Sequence, residues 1–237
     1  MPAHSPSHFD FDPIAQRYDR CNHLFSLGID RIWRRALARR MECTAGQTVI
    51  DLCCGSGDMV FSVCRHTDAG KITGVDCSPA MLDRARQKQT RLASKRWVKS
   101  HTIEWLQEDA AALSSPSNSA TAITCAFGVR NVTDRAGLLS QVERVLEVGG
   151  DFWVLEFSLP ANRMLRAFFR FYVGWFMPLL SRPWWGRGPL RYLADSITHW
   201  HTQVPFAAEI EAAGLTLVER IPLTFGAVTL WHIQKPR

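Results

Sequence analysis

The chain has 237 residues, 46% of them apolar and 21% charged, with a formal net charge of +6 and a pI near 9.1. That length and apolar content suffice for one full core, so a single domain carrying an insertion is expected. Seven cysteines without Cys-x-x-Cys spacing argue against a disulfide framework or structural zinc, and reduced cytosolic thiols are the reading. The polar stretch 1–8 has no apolar signal core.

In chain order, residues 10–42 read as helical, with Ile14, Tyr18, Leu24, Leu27, Ile32, Trp33 and Leu37 spaced for a buried face. Strands follow near 48–53, 71–76, 102–106, 121–126 and 151–157, separated by helices over about 58–66, 79–94 and 134–147. Gly149-Gly150 is expected to end the last of these helices. Ser114 to Ala120 reads as a surface loop. A closing helix near 204–213 ends at Gly214, before strands near 215–221 and 225–234. Alternation of this kind predicts an α/β, doubly wound, mostly parallel sheet with its ligand at the strand C-terminal ends. The last two strands are too close for a helical crossover, so one edge must be antiparallel. The whole divides into a helical cap over 9–42, a cofactor-binding core over 43–157, a basic aromatic insertion over 158–203, and the closing helix and edge strands over 204–237.

The strand ends carry the chemistry. Val49-Ile50-Asp51-Leu52-Cys53-Cys54-Gly55-Ser56-Gly57-Asp58 is an apolar run ending in an acid and a Gly-x-Gly turn. Ile72-Thr73-Gly74-Val75-Asp76 repeats the pattern, and Asp76 lies 19 residues after Gly57, close to the spacing at which a carboxylate takes a ribose hydroxyl pair. A dinucleotide site would place a third glycine where Val60 stands, and a phosphate-cradling loop would need Gly-Lys-Ser/Thr. Neither is present. S-adenosylmethionine fits instead: it has a ribose and an adenine, no phosphate, and a cationic methionine end suited to Asp51 and Asp58. An ordinary strand-turn-helix capped by Ser56 is the alternative reading of the loop alone.

Asp109-Ala110, past the third strand, is where an adenine would arrive if Asp76 holds the ribose. Asp109 by itself also reads as a solvated loop acid. The fourth strand ends in Ala126-Phe127-Gly128-Val129-Arg130-Asn131-Val132-Thr133-Asp134, which aims Arg130 and Asn131 at the mouth of the cleft. Pairing of Arg130 with a nearby acid, and capping of the next helix by Thr133 or Asp134, are the structural alternatives. Glu156 adds an acid at the end of the fifth strand.

Taken with Tyr18-Asp19-x-x-Asn22, Leu155-Glu156-Phe157-Ser158, Tyr192-Leu193-x-Asp195-Ser196-Ile197 and Leu223-Thr224-Phe225-Gly226, these motifs resemble the quinone-biosynthesis C-methyltransferases, the demethylmenaquinone and polyprenyl-benzoquinol methylases, from about residue 9 to 235. The resemblance implies a class I S-adenosylmethionine-dependent methyltransferase fold, Rossmann-like with one antiparallel edge strand and a helical lid. It implies methyl transfer to a ring carbon of a prenylated quinol in menaquinone or ubiquinone biosynthesis. Cofactor contacts are expected at Ser56, Asp76, Asp109 and Ala110, with Asp51, Gly55, Gly57 and Asp58 around the methionine end. Ala126 stands where many members have a cofactor-contacting serine, Asp195 where glutamate is usual, and His201 where proline is usual. Arg130 is assigned to stabilise the phenolate or position a water, and Asn131 and Tyr18 to hold the ring oxygens. His201 is a second candidate base, and His199-x-His201 is read as no metal site.

The insertion points to the substrate's source. From Phe157 to Ala194 there are six arginines (163, 166, 170, 182, 187 and 191) and no acids, interleaved with aromatics. Its longest apolar run, Phe171 to Leu180, is ten residues and contains Pro178, whereas a spanning helix needs about 20. Residues 163–191 are therefore expected to lie on a membrane surface, arginines facing lipid phosphates, which places the protein in the cytoplasm and peripheral on the inner face of the membrane. A lid packed only on the core is the alternative. The basic charge also suits RNA, but base methyltransferases carry an acidic-Pro-Pro-aromatic or Pro-Cys motif after strand four, so no nucleic acid partner is expected. A non-catalytic cofactor-binding scaffold at a membrane complex is the third reading. A homodimer is compatible with the sequence, which does not fix oligomeric state, ring identity or prenyl length.

Overall fold

The computed structural model describes residues 12, 23, 26–177 and 188–237. Its core is a seven-stranded sheet of order β3-β2-β1-β4-β5-β7-β6. The strands are β1 (Thr48–Leu52), β2 (Lys71–Asp76), β3 (Thr102–Gln107), β4 (Ala120–Ala126), β5 (Leu146–Phe157), β6 (Thr216–Leu223) and β7 (Val228–Gln234). β1 to β5 are parallel, and β7 runs antiparallel between β5 and the edge strand β6. The antiparallel strand is thus one in from the edge. The turn Thr224–Gly226 that joins it to β6 is a single 3-10 turn, too short to carry the chain across the sheet.

Helices α1 (Ile29–Ala38), α2 (Asp58–His66), α3 (Pro79–Leu92) and the short α4 (Arg96–Lys99) precede β3, and α5 (Arg135–Val145) follows β4. The insertion contributes α6 (Arg163–Phe171), a π turn over Tyr172–Phe176 and α7 (Gly188–Gln203), and α8 (Phe206–Ala212) closes the chain onto β6. Strand alternation splits the core into two layers. Ile50, Leu52, Ile123, Phe152 and Val154 face Leu138, Val142, Phe206 and Ile210 on one side. Val49, Trp153 and Leu155 face Trp33, Leu37, Val60 and Leu82 on the other. By the same parity Asp51 lies on the second face, beside Thr124 of β4 in the strand register.

Two sequence expectations shift. α5 ends at Val145, and Gly149-Gly150 lies inside β5, where Leu146 pairs with Ala120 but Asp151 with Ala122. The glycines make a bulge there: Gly149 has φ +79, and a Cβ on Gly150 would meet two carbonyl oxygens at 2.9 Å. In the cap, Trp33 and Leu37 are buried as expected, whereas Leu27 is 76% and Ile32 63% exposed. Ile14, Tyr18 and Leu24 lie outside the described residues, as do residues 178–187 of the insertion. α6 and α7 enclose a small apolar cluster of Leu159, Val173, Met177 and Ile197.

Candidate active site

Opposite helix connections leave the β1 and β4 C-terminal ends side by side, the switch point at which a doubly wound sheet opens a crevice. A cavity of about 570 Å³ lies there, lined by Gly55, Asp76, Asp109, Ala110, Ala126 and Asn131 among the residues expected from sequence. Its mouth is shaped by strain. Cys53, after β1, has φ +52 and Phe127, after β4, has φ +63, both in the region that disfavours residues with a Cβ. Gly128 then packs so closely that a Cβ on it would meet Cys53 Cβ at 2.4 Å.

Asp76 is held by two backbone donors, Gly55 N at 2.7 Å and Ser78 N at 2.9 Å. Burial nevertheless pushes its carboxyl above the ordinary range, against those two bonds, with the Asp12 charge adding to the rise. Asp12 itself lines the cavity and accepts a bond from the Ser78 hydroxyl, which also caps α3 by accepting from Met81 N. Asp109 is exposed and accepts from Ala111 N at 2.9 Å, so its side chain braces the turn that presents Ala110 to the cavity.

Asp51 is 1% exposed. The Thr124 hydroxyl donates to its Oδ1 at 2.6 Å, while Oδ2 is buried and has no hydrogen-bond partner among the described residues. Burial raises its pKa to about 7, against the Thr124 bond and the Arg34 charge that pull it down. An orphaned buried carboxylate oxygen next to two more acids attracts a cation, which suits the sulfonium and ammonium of S-adenosylmethionine. The raised pKa also has a cost. A carboxyl that ionises near 4 in the unfolded chain holds its proton to about 7 in the fold, so Asp51 subtracts stability as pH rises through that window.

Asp51, Ser56, Gly57 and Asp58 are not among the residues lining the cavity, and Asp51 lies buried behind the Gly55 turn that does. Lys88 reaches from α3 to donate to Ser56 Oγ at 2.9 Å and Asp58 Oδ1 at 2.6 Å, and that ion pair holds Asp58 below its ordinary pKa despite burial. Tyr18 lies outside the described residues.

Arg130 is turned inward. Its guanidinium donates to Glu156 Oε1 and to the Phe127 carbonyl, each at 2.7 Å, and lies over the Phe157 ring at 5.3 Å. Nε reaches Ser196 Oγ of α7 at 3.4 Å. The side chains of Arg130 and Glu156 are 6% and 0% exposed, so the pair is a buried strut between β5, the loop after β4 and the lid. Asn131 stays in the cavity wall, where the Tyr192 hydroxyl donates to its Oδ1 at 3.1 Å. Tyr192 sits in a recognised motif but drew no role from sequence, because nothing local to it says that α7 folds back over Asn131. The positive φ of Cys53 and Phe127 had no sequence signal either, since neither is glycine or asparagine. His201 accepts from Leu159 N at 3.4 Å and lies outside the cavity lining. Burial, with the Arg166 and Arg170 charges, lowers its pKa.

Removing one partner of a buried pair strands the other charge, at a cost of about 3–5 kcal/mol. Glu156→Ala and Arg130→Ala should therefore each lower unfolding stability by about that much in urea melts, and the double variant should lose less than their sum. Additive losses would show that the two side chains do not act as a unit.

The model of the ubiE/COQ5 methyltransferase family matches residues 7–235. The ubiquinone/menaquinone biosynthesis C-methyltransferase UbiE of Geobacter sulfurreducens is 33% identical over 226 residues, 95% of this chain and 86% of that one. The demethylmenaquinone methyltransferase of Deinococcus radiodurans is 36% identical over 222 residues, 93% of this chain and 89% of that one. Among solved structures, a SAM-dependent methyltransferase from Aquifex aeolicus superposes with a TM-score of 0.66 at 13% identity, covering 96% of this chain and 99% of its own, a likeness of fold. With the strand-end acids around a switch-point cavity and these matches over nearly its whole length, the chain belongs to the ubiE/COQ5 methyltransferase family and is an S-adenosylmethionine-dependent methyltransferase.

Proposed function

We propose that this protein methylates a ring carbon of a prenylated quinol, a demethylmenaquinol or a polyprenyl-benzoquinol. The observation that carries the reading is the switch-point cavity, with acids at its cofactor end and the Asn131–Tyr192 pair at its mouth, in a chain of this family. S-adenosylmethionine supplies the methyl group. Asp76 takes the ribose hydroxyls, Ala110 and Asp109 border the adenine, and Asp51, behind the Gly55 turn, balances the cationic methionine end. Ala126 adds wall but no hydroxyl. Since transfer is an in-line displacement, the protein's main contribution is to align the two reactants.

Asn131 holds a ring oxygen of the quinol, with Tyr18 as a second donor. Arg130 acts at one remove. Its charge is matched by Glu156, so it fixes the Phe127 carbonyl and the loop that aims Asn131. That makes Arg130 a positioning residue. The deciding experiment offers labelled S-adenosylmethionine together with demethylmenaquinol, a demethylated benzoquinol and bulk RNA. Label is expected on a quinol. Label on RNA, or cofactor binding with no transfer, would overturn the reading. In the same assay Asp76→Ala should weaken cofactor binding by about 10- to 100-fold, as loss of a charge-assisted contact of about 1.5–3 kcal/mol implies.

The substrate's prenyl tail requires access to lipid, and the lid suits a membrane surface. No described helix is long and apolar enough to cross a bilayer. α6 buries none of its residues, and Met164, Phe168, Phe171 and nearby Trp175 are all exposed. Arg163 and Arg170 are exposed together on another side of the helix, whereas Arg166 is spent on the Pro160 and Ala161 carbonyls. Phe225 is 82% exposed on the turn beside Pro160. An amphipathic helix of this kind lies in the interface with its rings in the acyl boundary. Phe168→Ser with Trp175→Ser should cut binding to anionic vesicles about tenfold or more without lowering cofactor affinity. Unchanged vesicle binding would remove the membrane from the account.

A further inference from the structure

A second hollow, of about 710 Å³, lies among α1, α2, α3 and α4 and shares no lining residue with the cofactor cavity. Five cations line it (Arg31, Arg34, Arg35, Arg65 and Lys88) against two carboxylates, Asp30 and Asp58. Both carboxylates are already engaged. Asp30 holds Arg34 at 2.7 Å and His23 Nδ1 at 2.9 Å and accepts from Ser26 at 2.7 Å; although burial opposes it, these partners keep its pKa near 2. Asp58 holds Lys88 at 2.6 Å. His23, Asp30 and Asp58 bring their ligand atoms within 4.8 Å of one another, the spacing of a metal site. Arg34 and Lys88 supply the positive charge there instead, so the trio forms a neutralised wall.

That leaves three arginines. Arg31, Arg35 and Arg65 are exposed and form no ion pair with a described carboxylate. Arg31 and Arg35 are one turn apart on α1, an arrangement in which like charges repel. The Arg65 guanidinium is braced over the Trp97 ring at 5.3 Å, which limits its freedom before anything binds. Three planar guanidinium forks converging on one hollow match the oxygens of a phosphate better than they match a single carboxylate. Ile32, 63% exposed, lies on the rim and offers apolar contact to whatever carries that phosphate.

We propose that this hollow is an anion site that binds a phosphate-bearing ligand through Arg31, Arg35 and Arg65, with Trp97 and Ile32 contacting its organic part. Neither the cofactor, which has no phosphate, nor a quinol explains three arginines here that pair with no carboxylate among the described residues. Lys88 makes the hollow adjoin the cofactor loop, because the same ammonium that lines it also bonds Ser56.

The test uses the full chain and a triple variant, Arg31→Gln, Arg35→Gln and Arg65→Gln, titrated at low salt with inorganic pyrophosphate and, separately, sedimented with phosphatidylcholine vesicles with or without phosphatidylglycerol. The wild-type protein should bind pyrophosphate at one saturable site, and the triple variant about tenfold or more weakly, with an unchanged or raised Tm because a repulsive pair is gone. Loss of both pyrophosphate and anionic-vesicle binding assigns the phosphate to a lipid headgroup. Loss of pyrophosphate binding with vesicle binding intact assigns it to a soluble phosphate ester. Absent or unchanged pyrophosphate binding would overturn the proposal, as would a variant-sensitive affinity for single-stranded RNA alone. A shorter check is methyl transfer to the quinol, which the triple variant should retain because none of the three residues borders the cofactor cavity.

Discussion

A carboxylate buried at the end of β1 constrains much of what surrounds it. Asp51 shares a sheet face with Val49, in a layer otherwise built from Trp33, Leu37, Val60 and Leu155. A hydrophobic core does not tolerate such a group without compensation. Compensation here is partial: one hydroxyl from Thr124, and the field of Arg34 on α1. Arg34 must stay close, and so Asp30, Ser26 and His23 are arranged to hold it. The unmatched oxygen, Oδ2, is buried without a hydrogen-bond partner among the described residues, and Asp76 ends the neighbouring strand. A fold that keeps an uncompensated negative end trades stability for affinity toward a cation.

The substrate side is organised around a second buried charge with the opposite logic. Arg130 and Glu156 neutralise each other and, through Ser196 and the Phe127 carbonyl, tie the lid to the two strand ends. Matching the charge leaves a rigid frame rather than an attractive one. Asn131 and Tyr192 then present ordinary hydrogen-bonding groups at the mouth, suited to a neutral ring with hydroxyls. The insertion carries exposed rings outward on α6 and the π turn, and on α7 it brings Tyr192 to Asn131.

The fold was legible because the strands that matter are short apolar runs ended by acids or glycines, and each lies within a few residues of where periodicity puts it. Gly149-Gly150 misled because two glycines end a helix or make a bulge with equal ease, and only the close carbonyls of Thr121 in β4 and Glu147 in β5 decide between them. Leu27 and Ile32 misled because helical spacing shows that a stripe exists, whereas what covers it is a matter of tertiary packing. In the site, Asp51, Asp76 and Asp109 were readable as a series, one acid per strand end, and Asp76 and Asp109 line the cavity. Arg130 was not: whether an arginine faces substrate or pairs with Glu156 depends on a contact 26 residues away across the sheet. Tyr192 was hidden for the same reason, at a separation of 61 residues from Asn131.

The proposed role of Asp51, holding the cationic end of the cofactor, is measurable because burial raises its pKa to about 7. A cation binding beside a protonated carboxyl expels the proton. Calorimetric titration of S-adenosylmethionine in buffers of different ionisation enthalpy counts that proton directly. At about pH 6 close to one proton should be released per cofactor bound, falling toward zero by about pH 8, and Asp51→Asn should release none. Binding without proton release at the lower pH, or the same release from Asp51→Asn, would contradict the account.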